Sequence, residues 1–87
     1  MTEQTRDILA QIDGLLAEAG SSKRHLLSVT VVLADIADAP AMNRAWDDWL
    51  DPAAKPARMT IQAPLVDSAW KVEITGVAAL EPEAGPA

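Results

Sequence analysis

A chain of 87 residues with a formal net charge of -6, a pI near 4.4 and an apolar share of 49% has room for one small domain and a modest core. The charge disfavours tight binding to phosphate backbones or anionic membranes, and the lack of cysteine removes disulfides, thiol nucleophiles and thiolate metal sites. No apolar run approaches the ~20 residues that span a bilayer, and the polar opening is unlike a secretory signal. A soluble, cytoplasmic, self-associating chain is therefore expected, with no nucleic-acid or membrane partner.

From Thr5 to Ala19 the apolar residues Ile8, Ile12, Leu15, Leu16 and Ala19 fall on one helical stripe. Thr2 or Thr5 suits its N-cap, and Gly20 suits the left-handed residue that ends it. The next run, Leu26 to Leu33, is rich in β-branched residues. Leu27, Val29, Val31 and Leu33 alternate with Ser28 and Thr30, which predicts a central strand with those four facing the core. The lone histidine, His25, reads as a surface residue at its entrance. A second amphipathic helix is expected to carry Met42, Ala45, Trp46, Trp49 and Leu50 inward and to end at Pro52, with Asp38 as N-cap and Pro40 in the first turn. Asn43 lies off that stripe.

Two further alternating runs follow. In residues 57–63 Arg58, Thr60 and Gln62 share one face, with Met59, Ile61 and Ala63 on the other. In residues 70–79 Val72 and Ile74 oppose Lys71, Glu73 and Thr75. They read as a hairpin with a long loop around Pro64 and Asp67. If both apolar faces meet one core, Arg58, Thr60, Glu73 and Thr75 lie together on the other side, and a guanidinium and a carboxylate become neighbours. Residues 1–80 are thus read as a single α+β domain, and 81–87, with two prolines, as a flexible tail. Three strands with two helices on one face leave the other face and an edge bare, which favours association.

Several short motifs, Ala17-Glu18-Ala19-Gly20, Leu33-Ala34-Asp35, Met42-Asn43-Arg44-Ala45-Trp46, Pro56-Ala57-Arg58 and Val72-Glu73-Ile74, occur in the order and spacing of the reactive-intermediate deaminase family, also called YjgF-like. The chain resembles that family over about residues 4–80. The resemblance implies a chorismate-mutase-like mixed sheet and a homotrimer with helices outside. It also implies hydrolysis of enamines and imines such as 2-aminoacrylate to 2-oxo acids and ammonia, between subunits and without cofactor or metal. By the same resemblance Arg58 and Asn43 bind the substrate carboxylate and line the cleft, while Glu73 and Thr60 are placed at the catalytic step. Family members usually begin with a strand hairpin ahead of the first helix, so an N-terminally shortened fold is expected here. A non-catalytic carboxylate-binding or assembly role is the alternative, and RNA cleavage a more distant third. For Arg58 and Glu73 the plain reading is a cross-strand ion pair of ~0 to 1 kcal/mol.

Overall fold

The structure, a computed structural model, describes residues 2–80. The tail expected at 81–87 lies outside the described residues. In chain order the elements are α1 (Thr2–Glu18), β1 (Leu26–Leu33), α2 (Ala39–Trp49), β2 (Ala57–Gln62) and β3 (Val72–Ala78), with single 3-10 turns at Lys23–His25 and Ile36–Asp38.

Helix α1 turns a slightly different face inward from the one its pattern suggested. Thr5 and Leu9 are buried and Ile8, Ile12 and Leu16 pack beside them, whereas Leu15 is 63% exposed. The helix begins at Thr2, so Thr5 sits within it rather than capping it. Its end follows the chemistry of Gly20, whose φ of 80° only glycine adopts without strain. The Gly20 amide donates to the Ala17 carbonyl at 3.2 Å and the Ser21 amide to that of Leu16 at 2.7 Å, the two bonds of a Schellman cap.

Helix α2 is entered through Asp35, whose carboxylate accepts from the Ala37 amide at 2.9 Å, while the side chain of Asp38 makes no capping bond. Pro40 stands in the first turn, where its missing N–H has no intrahelical partner to lose. Met42, Ala45 and Trp46 are buried. The far end is held by Lys23, whose ammonium donates to the Trp49 carbonyl at 2.6 Å and lies 5.2 Å from the centre of the Trp49 ring. A cation at a helix C-terminus meets the negative end of its dipole. The Trp49 indole N–H donates to Asp13 of α1 at 2.8 Å, tying the helices together.

The sheet order is β2-β1-β3, with β1 parallel to β2 and antiparallel to β3. The expected hairpin of the last two strands is therefore not formed. The loop between them passes the end of β1, where the Ala63 amide donates to Leu33 and the Ala34 amide to Lys71, both at 3.0 Å. β1 takes the middle because it can bury a whole face: Val29, Val31 and Leu33 lie against the helices at no more than 4% exposure. Leu27 is the exception to its alternation. A register shift between Leu26 and Ser28 turns Leu26 inward and leaves Leu27 exposed.

Pairing in register then decides every other face. Val29 and Val31 are matched by Arg58 and Thr60 on β2 and by Gly76 and Ile74 on β3, so all of these face the helices. Thr30 and Val32 are matched by Met59 and Ile61 and by Thr75 and Glu73, which face away. The expectation that Met59 and Ile61 point to the core is thus reversed, and Met59 is 57% exposed.

The burial of α1 gives a direct check. Leu9→Ala is expected to lose about 2 to 5 kcal/mol, and Leu15→Ala less than about 0.5, in urea denaturation followed by circular dichroism. Comparable losses at the two sites would mean that α1 is rotated from the position described.

Candidate functional site

Arg58 and Glu73, expected as neighbours on one surface, are separated twice over. They stand on opposite outer strands with β1 between them, and the register places Arg58 on the helix face and Glu73 on the other. The shared polar surface survives only in part, as Ser28, Thr30, Glu73 and Thr75 on the face away from the helices. Arg58 and Thr60 do not belong to it. The physical reason is that β2 is an outer strand, where an inward-facing position is half covered and accepts a long cationic side chain as readily as an apolar one.

On the helix face Arg58 is well supported. Its Nη1 donates to the Met42 sulfur at 3.6 Å, and its guanidinium carbon lies 5.4 Å from the centre of the Trp46 ring. Met42 and Trp46 are one turn apart on α2, so one stripe of the helix holds the stem and plane of the arginine. Trp46 leans in turn on Trp49, with ring centres 5.6 Å apart. Among the described residues no carboxylate pairs with Arg58; the ion pairs there are Arg6 with Asp48 and Arg24 with Asp51.

The neighbouring polar atoms are unusual. Among the described residues the buried side-chain oxygens without a hydrogen-bond partner are Ser22 Oγ, Asn43 Oδ1 and Thr60 Oγ1. Thr60 is two positions beyond Arg58 on the same face of β2. Asn43 adjoins Met42 and lies about 60° around α2 from Trp46, on the flank away from Ala45. An unpartnered buried oxygen costs roughly 1 to 3 kcal/mol. Of the two on this side, the Thr60 hydroxyl can donate to an anion, as Arg58 can, whereas the Asn43 oxygen only accepts.

Of the residues expected at the site, the structure therefore gathers Arg58, Thr60 and Asn43 at the margin of α2 and β2 and leaves Glu73 elsewhere. Trp46, which the sequence places in core or subunit packing, also lies near the guanidinium, a contact that the one-turn spacing of Met42 and Trp46 allows. Among the described residues no group of three or more histidine, cysteine, aspartate or glutamate side chains is placed to hold a metal ion. Nor is any helix there long and apolar enough to cross a membrane.

Comparison with known proteins agrees with this architecture. The family model described as Endoribonuclease L-PSP matches residues 1–80, and the chain belongs to that family. A RutC family protein of Haemophilus influenzae is 46% identical over 76 residues, covering 87% of this chain and 66% of its own length. The RutC family protein YoaB of Escherichia coli is 49% identical over 78 residues, covering 90% and 68%. A crystal structure of a YjgF-family member from Neisseria meningitidis superposes with a TM-score of 0.89 at 42% identity, covering 90% of this chain and 66% of that one. The YjgF-like membership and mixed α+β fold expected from the motifs are thus established. The chain spans about two thirds of the length of these relatives.

Thr60→Val removes an unpartnered buried oxygen without changing shape. The free protein is expected to keep its stability or gain about 1 kcal/mol in thermal denaturation. A loss of that size would show that the hydroxyl already has a partner.

Proposed function

We propose that this chain binds small carboxylates at Arg58 and, when assembled, hydrolyses enamine and imine intermediates of the 2-aminoacrylate type to 2-oxo acids and ammonia in the cytoplasm. The observation that carries this reading is a guanidinium 5.4 Å from the centre of the Trp46 ring, without an acid partner among the described residues, on the same face of β2 as the unpartnered Thr60 hydroxyl. The family supplies the rest of the expectation.

A planar guanidinium offers two parallel N–H donors to a carboxylate and so fixes the direction of the carbon that carries nitrogen. A protonated imine needs no further activation to accept water. The water oxygen bonds to the imine carbon and its surplus proton passes to a base; the base then returns that proton to the amino nitrogen of the carbinolamine, which leaves as ammonia while the hydroxyl gives its proton to the base and the carbonyl forms. Glu73 suits the base. It cannot reach the Arg58 of its own protomer, so the proposed cleft joins Arg58 of one copy with Glu73 of another. The exposed apolar residues Met59, Ile61 and Val77 on the face away from the helices support self-association, and the family expectation makes that assembly a homotrimer.

A second reading is favoured by one specific finding, the placement of Glu73 away from Arg58: the chain binds a carboxylate and does not turn it over. RNA cleavage, although the family description names a ribonuclease, is disfavoured by the net charge of -6.

Ammonia release from 2-aminoacrylate generated in situ should fall at least about a hundredfold in Arg58→Ala, and Arg58→Lys should recover little of it. Arg58→Ala and Glu73→Gln, each inactive alone, should regain part of the rate when unfolded and refolded together. Full activity in Arg58→Ala would overturn the proposal, and failure of the mixture to recover would place the base elsewhere. Binding of 2-oxobutanoate by calorimetry without turnover would favour the second reading.

A further inference from the structure

Arg6 and Arg24 are held by aspartates, Asp48 and Asp51, whereas Arg58 is held by two uncharged partners on α2. A carboxylate that fixes an arginine also matches its charge and occupies its paired donors, which leaves little for a ligand. The partners of Arg58 do neither. The Met42 sulfur, 3.6 Å from Nη1, is a weak neutral acceptor, and the Trp46 ring, whose centre is 5.4 Å from Cζ, attracts a cation through its quadrupole without neutralising it. The guanidinium is kept in place with its charge available.

Both partners are themselves fixed by packing. Met42 is fully buried and Trp46 is 5% exposed, and one turn apart they lie on the same stripe of α2. Behind Trp46 stands Trp49, with ring centres 5.6 Å apart and planes inclined by 45°. Trp49 is secured in turn by Asp13, which accepts from its indole N–H, and by Lys23, which lies over its ring. The surface that meets Arg58 is therefore tied back to α1 and to the turn before β1.

The nitrogen that meets the sulfur decides which edge stays free. In a guanidinium the side-on fork consists of Nε and Nη2, while Nη1 lies on the other side, next to Cδ. The contact with Met42 uses Nη1 and leaves the Nε–Nη2 edge whole. Arg58 as a residue is exposed, so α2 covers only part of it. Gln62, on the same face of β2, is engaged elsewhere, because its Oε1 accepts from the Ile36 amide at 2.7 Å.

We infer that Met42 is a positioning residue for carboxylate recognition: its sulfur, with the Trp46 ring, sets the guanidinium so that Nε and Nη2 receive the carboxylate. This rests on the proposed role of Arg58 and adds to it a residue that touches no substrate. A methionine that merely filled space could be exchanged for leucine without consequence at the guanidinium; one that accepts from Nη1 could not.

The test uses the full chain, with the arginine side chains followed by nitrogen NMR. Without ligand, Arg58 should give separate Nη1 and Nη2 signals in the cold, because the sulfur contact slows rotation about the Cζ–Nε bond. In Met42→Leu, which keeps volume and apolar character, the two should merge while the melting temperature stays within about 5 °C. Addition of 2-oxobutanoate should move Nε and Nη2 and leave Nη1 nearly still. Met42→Leu should raise the dissociation constant at least about fivefold, and Met42→Gln, which returns an acceptor at similar reach, should recover part of the affinity. Merged signals in the wild type, signals still separate in Met42→Leu, greatest movement at Nη1, or equal affinity in Met42→Leu would each overturn the inference. If the wild type binds no 2-oxobutanoate while the Nη signals behave as stated, the carboxylate role of Arg58 falls and the hold of Met42 on the guanidinium stands.

Discussion

The burial of Val29, Val31 and Leu33 against the two helices is the constraint from which the remaining placements follow. Once that face of β1 is inward, pairing on both sides leaves no freedom in β2 or β3: a residue matched to one of the three faces the helices, and its neighbours face away. Arg58 is matched to Val29 and Glu73 to Val32. Their separation is a matter of parity, and no side-chain rotation can undo it.

That parity gives the molecule two surfaces of different character. The helix-side margin at α2 and β2 holds the Arg58 guanidinium near the Trp46 indole, with the Thr60 hydroxyl on the same face of β2. The opposite face mixes Thr30, Thr75 and Glu73 with exposed Met59, Ile61 and Val77, which suits contact with other copies. A reaction needing both the arginine and the glutamate is possible only where two copies bring these surfaces together.

Much of this was legible in the sequence. The two helices, the central strand, the cap at Gly20 and the proline in the first turn of α2 all follow from local chemistry, because each is decided by residues within a few positions of one another. The strand order was not legible. Alternation shows that residues 57–63 and 70–79 are extended, yet says nothing of which strands pair, and nine residues between β2 and β3 are long enough to pass the end of β1. The facing of β2 failed for a related reason: on an outer strand the inward positions are half covered, so Arg58 and Thr60 read as a solvent face and Met59 and Ile61 as a core face. The inward turn of Leu26 in place of Leu27 depends on a register shift that no short window of sequence reveals. Of the residues the motifs single out, the register puts Arg58 and Thr60 on one face of β2 and Glu73 on the opposite face of β3.

The proposed reaction requires Arg58 to serve, from the helix face, as an anion anchor. Backbone and indole resonances recorded during titration with 2-oxobutanoate test this most directly. With Arg58 as the anchor, the largest shifts fall on Arg58, Thr60, Asn43 and the Trp46 indole. Shifts confined to Thr30, Thr75 and Met59 would place the ligand on the opposite face of the sheet and contradict it.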